Sequence, residues 1–231
     1  MRLSVHPDIT ITYHRFGNEK APLLVIDNVV REVEELALYA VKLQFSSNSA
    51  FYPGVRAEAP HEYQHFLLNN FAGEFHKFFE LPSEKFSLSL CHYSLTTTPA
   101  SELKLLQRIP HFDSLERNGL ASVYYLFKKP LGGTAFYRHI KTDFESIDES
   151  RKKQYLISLE SENGGPNIPK PGYINGDTAL YRQIMRVDGV YNRMIVYRRN
   201  SLHSGCIAED FIPDLNPLTG RLSINAFIDP F

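Results

Sequence analysis

The stretch "GRLSINAFI", residues 220–228, alternates without a break. Leu222, Ile224, Ala226 and Ile228 share one face, and Arg221, Ser223, Asn225 and Phe227 share the other. A period of two is the signature of a β-strand. An arginine on so apolar a strand is costly to bury unless an anion meets it. Two placements are open for it. Arg221 either stands at the solvent end of its strand, paired with a surface glutamate, or points inward. An inward guanidinium answers a carboxylate with two parallel hydrogen bonds, and the Ser223 hydroxyl on the same face adds a third.

Other stretches repeat the pattern. "FSLSLCHYSLTT" (86–97), "ASVYYLFKK" (121–129), "GTAFYRHI" (133–140) and "NRMIVYRR" (192–199) are strands by period and by β-branched and aromatic content. Before residue 85 the character differs. "PLLVID" (22–27) reads as a buried strand. Val30, Val33, Leu36, Ala37, Ala40 and Val41 then recur at helical spacing, with Asp27 or Asn28 as N-cap. "SSNSAFYPGVRAEAP" (46–60) is loop by composition. Leu67, Phe71, Phe75, Phe78 and Phe79 mark a second helix, closed before Pro82. Residues 141–188 stand apart, with a charged helix over 144–159, a Gly/Pro loop "ENGGPNIPKPG" (162–172) and a short helix opened by Asp177. The expectation is one domain over 1–231. Residues 1–84 form an N-terminal helical and strand support, and 85–231 a β-core with a helical insertion at 141–188. The fold class is mainly β with flanking helices, a jelly-roll-like double sheet.

Composition narrows the function. The chain has 231 residues, 43% hydrophobic, enough for one large core. A formal net charge of -1 gives no electrostatic reason to expect nucleic acid or an anionic membrane as partner. No apolar run approaches membrane-spanning length, and the N-terminus lacks a signal-like apolar segment. Cys91 and Cys206 read as two buried thiols, in keeping with a soluble cytoplasmic protein, and one disulfide between them stays open.

Two motifs compete for chemistry. In "RIPHFDS" (108–114), an extended backbone turns His111 and Asp113 to the same side. Such a pair suits a metal ion, and equally a strand edge in water. His203, following the strand at 192–199, offers a third ligand. The rival is "HEYQH" (61–65), which matches the zinc-protease pattern with His61 and His65 on one helical face and Glu62 as general base. Pro60 puts His61 in the opening helical turn, and Leu68 and Phe71 stand where the extended motif wants Gly and His. A structural or capping role is the plainer reading there.

Taken in order, His111-x-Asp113, the turn "PLGGTAFYRH" (130–139), His203 and Arg221-x-Ser223 resemble the iron(II)- and 2-oxoglutarate-dependent oxygenases, particularly the prolyl-4-hydroxylase-like branch. Together with "FYPGVRA" near residue 51, the ordering also resembles a bacterial domain family of unassigned function in that superfamily. The resemblance implies a double-stranded β-helix of the jelly-roll, cupin-like kind. It implies that His111, Asp113 and His203 hold Fe(II) as a facial triad. Arg221, with Ser223, would meet the far carboxylate of 2-oxoglutarate, and Tyr93 would hydrogen-bond that co-substrate. Dioxygen would be the oxidant and succinate a product. The primary substrate would be an unidentified small molecule or amino-acid side chain. Two other readings are a metal-binding cupin-like module without 2-oxoglutarate chemistry and a zinc hydrolase using His61, Glu62 and His65.

Overall fold

The computed structural model describes residues 1–47, 51–163 and 165–231. In chain order they form β1 (Thr10–Phe16), β2 (Ala21–Asp27), α1 (Val33–Ala40), β3 (Gly54–Glu58), α2 (His61–Phe79), β4 (Phe86–Thr96) and β5 (Leu120–Tyr125). There follow β6 (Gly133–His139), α3 (Glu149–Asn163), β7 (Tyr181–Asp188), β8 (Arg193–Arg198), β9 (His203–Cys206) and β10 (Leu222–Pro230). Seven strands make one sheet in the order β1-β2-β8-β5-β10-β4-β3, and three make another in the order β7-β6-β9. Every strand pair is antiparallel. The described residues are mainly β, with two antiparallel sheets and three α-helices.

Strand alternation sorts side chains into layers. From β10, the residues Leu222, Ile224, Ala226 and Ile228 pack with Leu36 of α1 and with Tyr63, Leu67, Phe71 and Phe75 of α2. The opposite face of the large sheet carries Phe227, with Leu23, Val25, Tyr125, Ile195 and Tyr197. It meets Phe136 and Val187 of the small sheet. The outer face of the small sheet, through Ala135, Tyr137 and Tyr181, packs on Tyr155 and Leu159 of α3. Helices therefore cover both outsides, and an inter-sheet layer lies between.

Several expectations change. The first helix starts at Val33, not after Asp27 or Asn28, because the backbone before it is committed elsewhere. The Val29 amide donates to the Asn192 carbonyl, the Val30 amide to the Asn192 side chain, and Asn28 sits at φ 54. The stretch read as loop at 46–60 contains β3, with residues 48–50 outside the described ones. In the loop at 162–172, residue 164 is likewise outside them. No short helix follows Asp177. The chain instead forms β7, hydrogen-bonded along β6. The helix expected over 144–159 is α3, starting at Glu149. Asp148 caps it by accepting from the Ser150 and Arg151 amides at 3.0 and 3.2 Å. Both cysteines are buried and free.

The Gly-Gly turn ahead of β6 has a steric cause. Gly132 has φ +86, and a Cβ there would lie 2.0 Å from the Cys206 carbonyl oxygen. At Gly133 it would lie 1.9 Å from that of Val187. Neighbouring backbone approaches from both sides, so no side chain fits.

Candidate metal centre

His203 opens β9, an edge of the small sheet. Its backbone exchanges two hydrogen bonds of 2.9 Å with His111, an isolated bridge that pins the two histidines face to face. Two residues on, the Asp113 amide donates to the Arg199 carbonyl at 2.8 Å. His111 and Asp113 thus point to one side, as an extended segment requires, although no regular strand forms there.

The three side chains converge. Asp113 Oδ1 lies 3.6 Å from His111 Nε2, and Asp113 Oδ2 lies 3.4 Å from His203 Nε2. One ligand atom from each residue falls within 4.8 Å of the others. His203 Nδ1 lies 2.9 Å from the Ser201 carbonyl oxygen. A carbonyl only accepts, so Nδ1 carries the proton, and Nε2 keeps its lone pair toward Asp113. Burial, then the neighbouring His111, push the His203 imidazole down to about 4, against the pull of Asp113, so it is neutral at physiological pH. Burial alone would raise the Asp113 carboxyl, but His203, His111 and Arg56 outweigh it and hold the carboxyl below its usual range. A neutral imidazole and an ionised carboxylate are the forms that ligate metal. His111 is half exposed, at 51%, while His203 is 6% exposed, so solvent reaches the cluster from the His111 side.

Arg221 is 6% exposed. Its Nε donates to the Leu131 carbonyl at 2.9 Å and its Nη2 to the Gly133 carbonyl at 2.8 Å. Nη1 lies 3.3 Å from Thr96 Oγ1. Among the described residues no carboxylate pairs with it, so the solvent-end placement beside a surface glutamate does not hold. The guanidinium reaches toward Gly205, whose Cβ position would be 3.9 Å from Arg221 Nη2. Gly205 is two residues along β9 from His203, roughly 6.6 Å at strand rise. Ser223 faces the same inter-sheet side and donates to Asn225 Oδ1 at 2.8 Å.

Tyr93 does not join them. It pairs across the sheet with Ile224, whose side chain faces the helices, and its hydroxyl donates to the Leu36 carbonyl at 2.8 Å. Adjacent residues of a strand face opposite ways, so Tyr93 is core, and its neighbours His92 and Ser94 face the layer between the sheets. The HExxH residues are also elsewhere. His61, Glu62 and His65 are exposed at the start of α2, Glu62 pairs with the Met1 amino group at 3.0 Å, and all three line a surface hollow with Leu3 and Asn69. Among the described residues, the one cluster of three potential ligands is His111, Asp113 and His203.

Sequence reasoning missed Arg56. On β3, Arg56 pairs with Ser94, and Ser94 pairs with Ser223, so the three form a row across the sheet. The buried Nε of Arg56, Oγ of Ser94 and Nδ1 of His92 have no hydrogen-bond partner among the described residues. The available signal was a charged residue midway along "GVRAE", but five residues between prolines are too short to show a period.

This fold is the one found in iron- and 2-oxoglutarate-dependent oxygenases. The epimerase SnoN, in complex with Fe3+, alpha ketoglutarate and nogalamycin RO, matches with a TM-score of 0.54 at 11% identity, over 92% of this chain and 80% of that one. HygX from Streptomyces hygroscopicus, with nickel and 2-oxoglutarate bound, matches with a TM-score of 0.53 at 13% identity, over 92% and 84%. The chain itself belongs to a family of unknown function (DUF6445), whose model covers residues 7–228. No curated protein matches it in sequence.

Proposed function

We propose that this protein is an Fe(II)- and 2-oxoglutarate-dependent dioxygenase of the prolyl-4-hydroxylase-like branch, hydroxylating an unidentified small molecule or amino-acid side chain. Its two sheets then act as a double-stranded β-helix, and the chain as one domain. The observation that carries this reading is the convergence of His111, Asp113 and His203, two imidazoles and one carboxylate whose ligand atoms lie within 4.8 Å of one another.

The donor set fits iron(II), since two histidines and a carboxylate on one side leave positions open for other ligands. When bound, iron(II) supplies the redox chemistry that couples decarboxylation of 2-oxoglutarate to oxidation of a second substrate. The residues of this chain do the rest. Ser201 fixes the His203 tautomer through its carbonyl. Arg221, buried and without an acid partner among the described residues, receives the far carboxylate of 2-oxoglutarate, and Ser223 turns its hydroxyl from Asn225 to assist. Tyr197 and Phe136, with ring centroids 4.7 and 6.4 Å from that of His203, exclude water behind the site.

The test is anaerobic reconstitution with iron(II), followed by addition of 2-oxoglutarate. A visible charge-transfer band is expected, and His111→Ala, Asp113→Ala and His203→Ala should each lose the metal while remaining folded. Loss of the metal on His61→Ala or His65→Ala instead overturns this assignment. Metal retention with no response to 2-oxoglutarate reduces the protein to a metal-binding module.

A further inference from the structure

We infer that Arg56 recognises a carboxylate on the primary substrate, so that this enzyme acts on carboxylic acids. The inference rests on the reading above and adds to it the chemical class of the second substrate. Arg56 is part-buried on the inter-sheet side of β3, and its guanidinium carbon lies 4.5 Å from the centre of the Tyr52 ring. Its Nε is buried without a hydrogen-bond partner, and the guanidinium pairs with no acid among the described residues. Glu58, on the same face two residues along, is not within ion-pair distance. A guanidinium taken partly out of water and left unpaired is expensive. Burial pulls its affinity for a proton down, and the Asp113 carboxylate partly restores it. The register Arg56–Ser94–Ser223 puts Arg56 on the same face of the large sheet as Ser223, the residue assigned above to the co-substrate, and its charge helps hold the Asp113 carboxyl low.

Position and charge separate this role from that of Arg221. Ser223 pairs with Tyr125 on one side and Ser94 on the other, and Arg56 lies one strand further out, two strands from β10. Arg221 occupies the level of Gly205 beneath the cluster, where its Nε and Nη2 are held by carbonyls. In the assignment above, the one far carboxylate of 2-oxoglutarate goes to Arg221 and Ser223, which leaves Arg56 for a second acid. In the loaded site, iron(II) and 2-oxoglutarate cancel and Asp113 offsets Arg221, while Arg56 has no acid within ion-pair distance among the described residues. A monoanion balances it, and a carboxylate matches the planar fork with paired hydrogen bonds. The Tyr52 ring below holds the guanidinium plane in place. Ser94 Oγ and His92 Nδ1 supply further unused polar atoms on the same face.

The experiment uses the full chain loaded with nickel(II) and 2-oxoglutarate under anaerobic conditions. Calorimetric titration compares benzoate, phenylacetate and N-acetyl amino acids with their uncharged amides, and with phenyl phosphate. At least one carboxylate should bind about tenfold or more tightly than its amide, and Arg56→Gln should erase that preference while 2-oxoglutarate affinity stays within about twofold. Three results overturn the inference: no carboxylate preferred over its amide, a preference that survives Arg56→Gln, or tighter binding of phenyl phosphate than of every carboxylate. If Arg56→Gln costs 2-oxoglutarate its affinity, the guanidinium serves the co-substrate and the inference is also wrong. A wild-type chain that takes up neither nickel nor 2-oxoglutarate fails one step earlier, and that result counts against the dioxygenase assignment.

Discussion

Arg221 carries two duties at the residue scale, and they can be separated. Its Nε and Nη2 satisfy the Leu131 and Gly133 carbonyls, so it braces the turn into β6. Its charge, unmatched by any acid among the described residues, is the part available to a ligand. Arg221→Met leaves both carbonyls short of a donor, at about 1–3 kcal/mol of stability. It also removes the carboxylate's partner, so 2-oxoglutarate should weaken by a few kcal/mol, with iron retained. Anaerobic titration of both proteins reads the second effect, and thermal melts read the first. Equal 2-oxoglutarate affinity in the two proteins would show that the guanidinium is only a structural brace. Pyruvate, lacking the second carboxylate, should barely distinguish them. Ionisation at the cluster is likewise local: His203 stays neutral because it is buried beside another imidazole, while Asp113 stays charged because its neighbours outweigh burial.

Elements differ in how openly their sequences announced them. β10 was legible because both its faces are buried and chemically distinct, apolar toward the helices and polar toward the small sheet. β3 and β7 were not. β3 has five residues, and β7, "YRQIMRVD", has an irregular burial pattern beside a register shift between Phe136 and Tyr137. The triad was readable as types and order, but the bridge between His111 and His203 was not, since it depends on a pairing distant in sequence. Tyr93 failed as a site residue by one step of strand parity, the smallest error a period-two reading can make.

At the level of α3, Asp148 sets the start. Its carboxyl is held low by the Ser150 hydroxyl and then by Arg117, against the effect of burial. A depressed folded pKa means that the stabilisation is present above the unfolded value of about 3.9 and is lost as pH falls below it. Asp148→Ala should cost roughly 1 kcal/mol near neutrality. The gap from wild type should shrink in acid, as chemical denaturation across pH would reveal; a pH-independent gap would refute the capping account. The last part of residues 141–188 is β7, hydrogen-bonded along β6. Amides of β7 should therefore exchange slowly with or without co-substrate, while residues 165–176, outside both α3 and β7, exchange fast. Rapid exchange along β7 would show that its pairing with β6 does not persist in solution.

On the scale of the whole molecule, the candidate ligands come from distant parts of the chain and meet on an edge strand of the small sheet. A metal held by His111, Asp113 and His203 needs them assembled, so it should stabilise the folded state by about 2.7 kcal/mol at a hundredfold excess over its dissociation constant. For a chain of this size that raises Tm by roughly 5–10 °C. Manganese(II) in a thermal melt is a convenient probe, and His203→Ala should abolish the rise. A rise that survives in that variant would locate the metal elsewhere. No described helix is long and apolar enough to cross a membrane.

The middle position of β10 has a consequence for biosynthesis. It lies between β5 and β4 in the large sheet, yet it follows every other strand in the chain. Until it emerges from the ribosome, β3 and β4 on one side and β1, β2, β8 and β5 on the other are two half-sheets with facing open edges. Such edges invite pairing with the wrong strand or with another nascent chain. Folding must therefore end with a zipper-like insertion of the final segment between two waiting halves, and Arg221 at its head arrives in the same stroke. A ribosome stalled before residue 221 would hold a chain with the small sheet of His203 complete but the large sheet split into two halves.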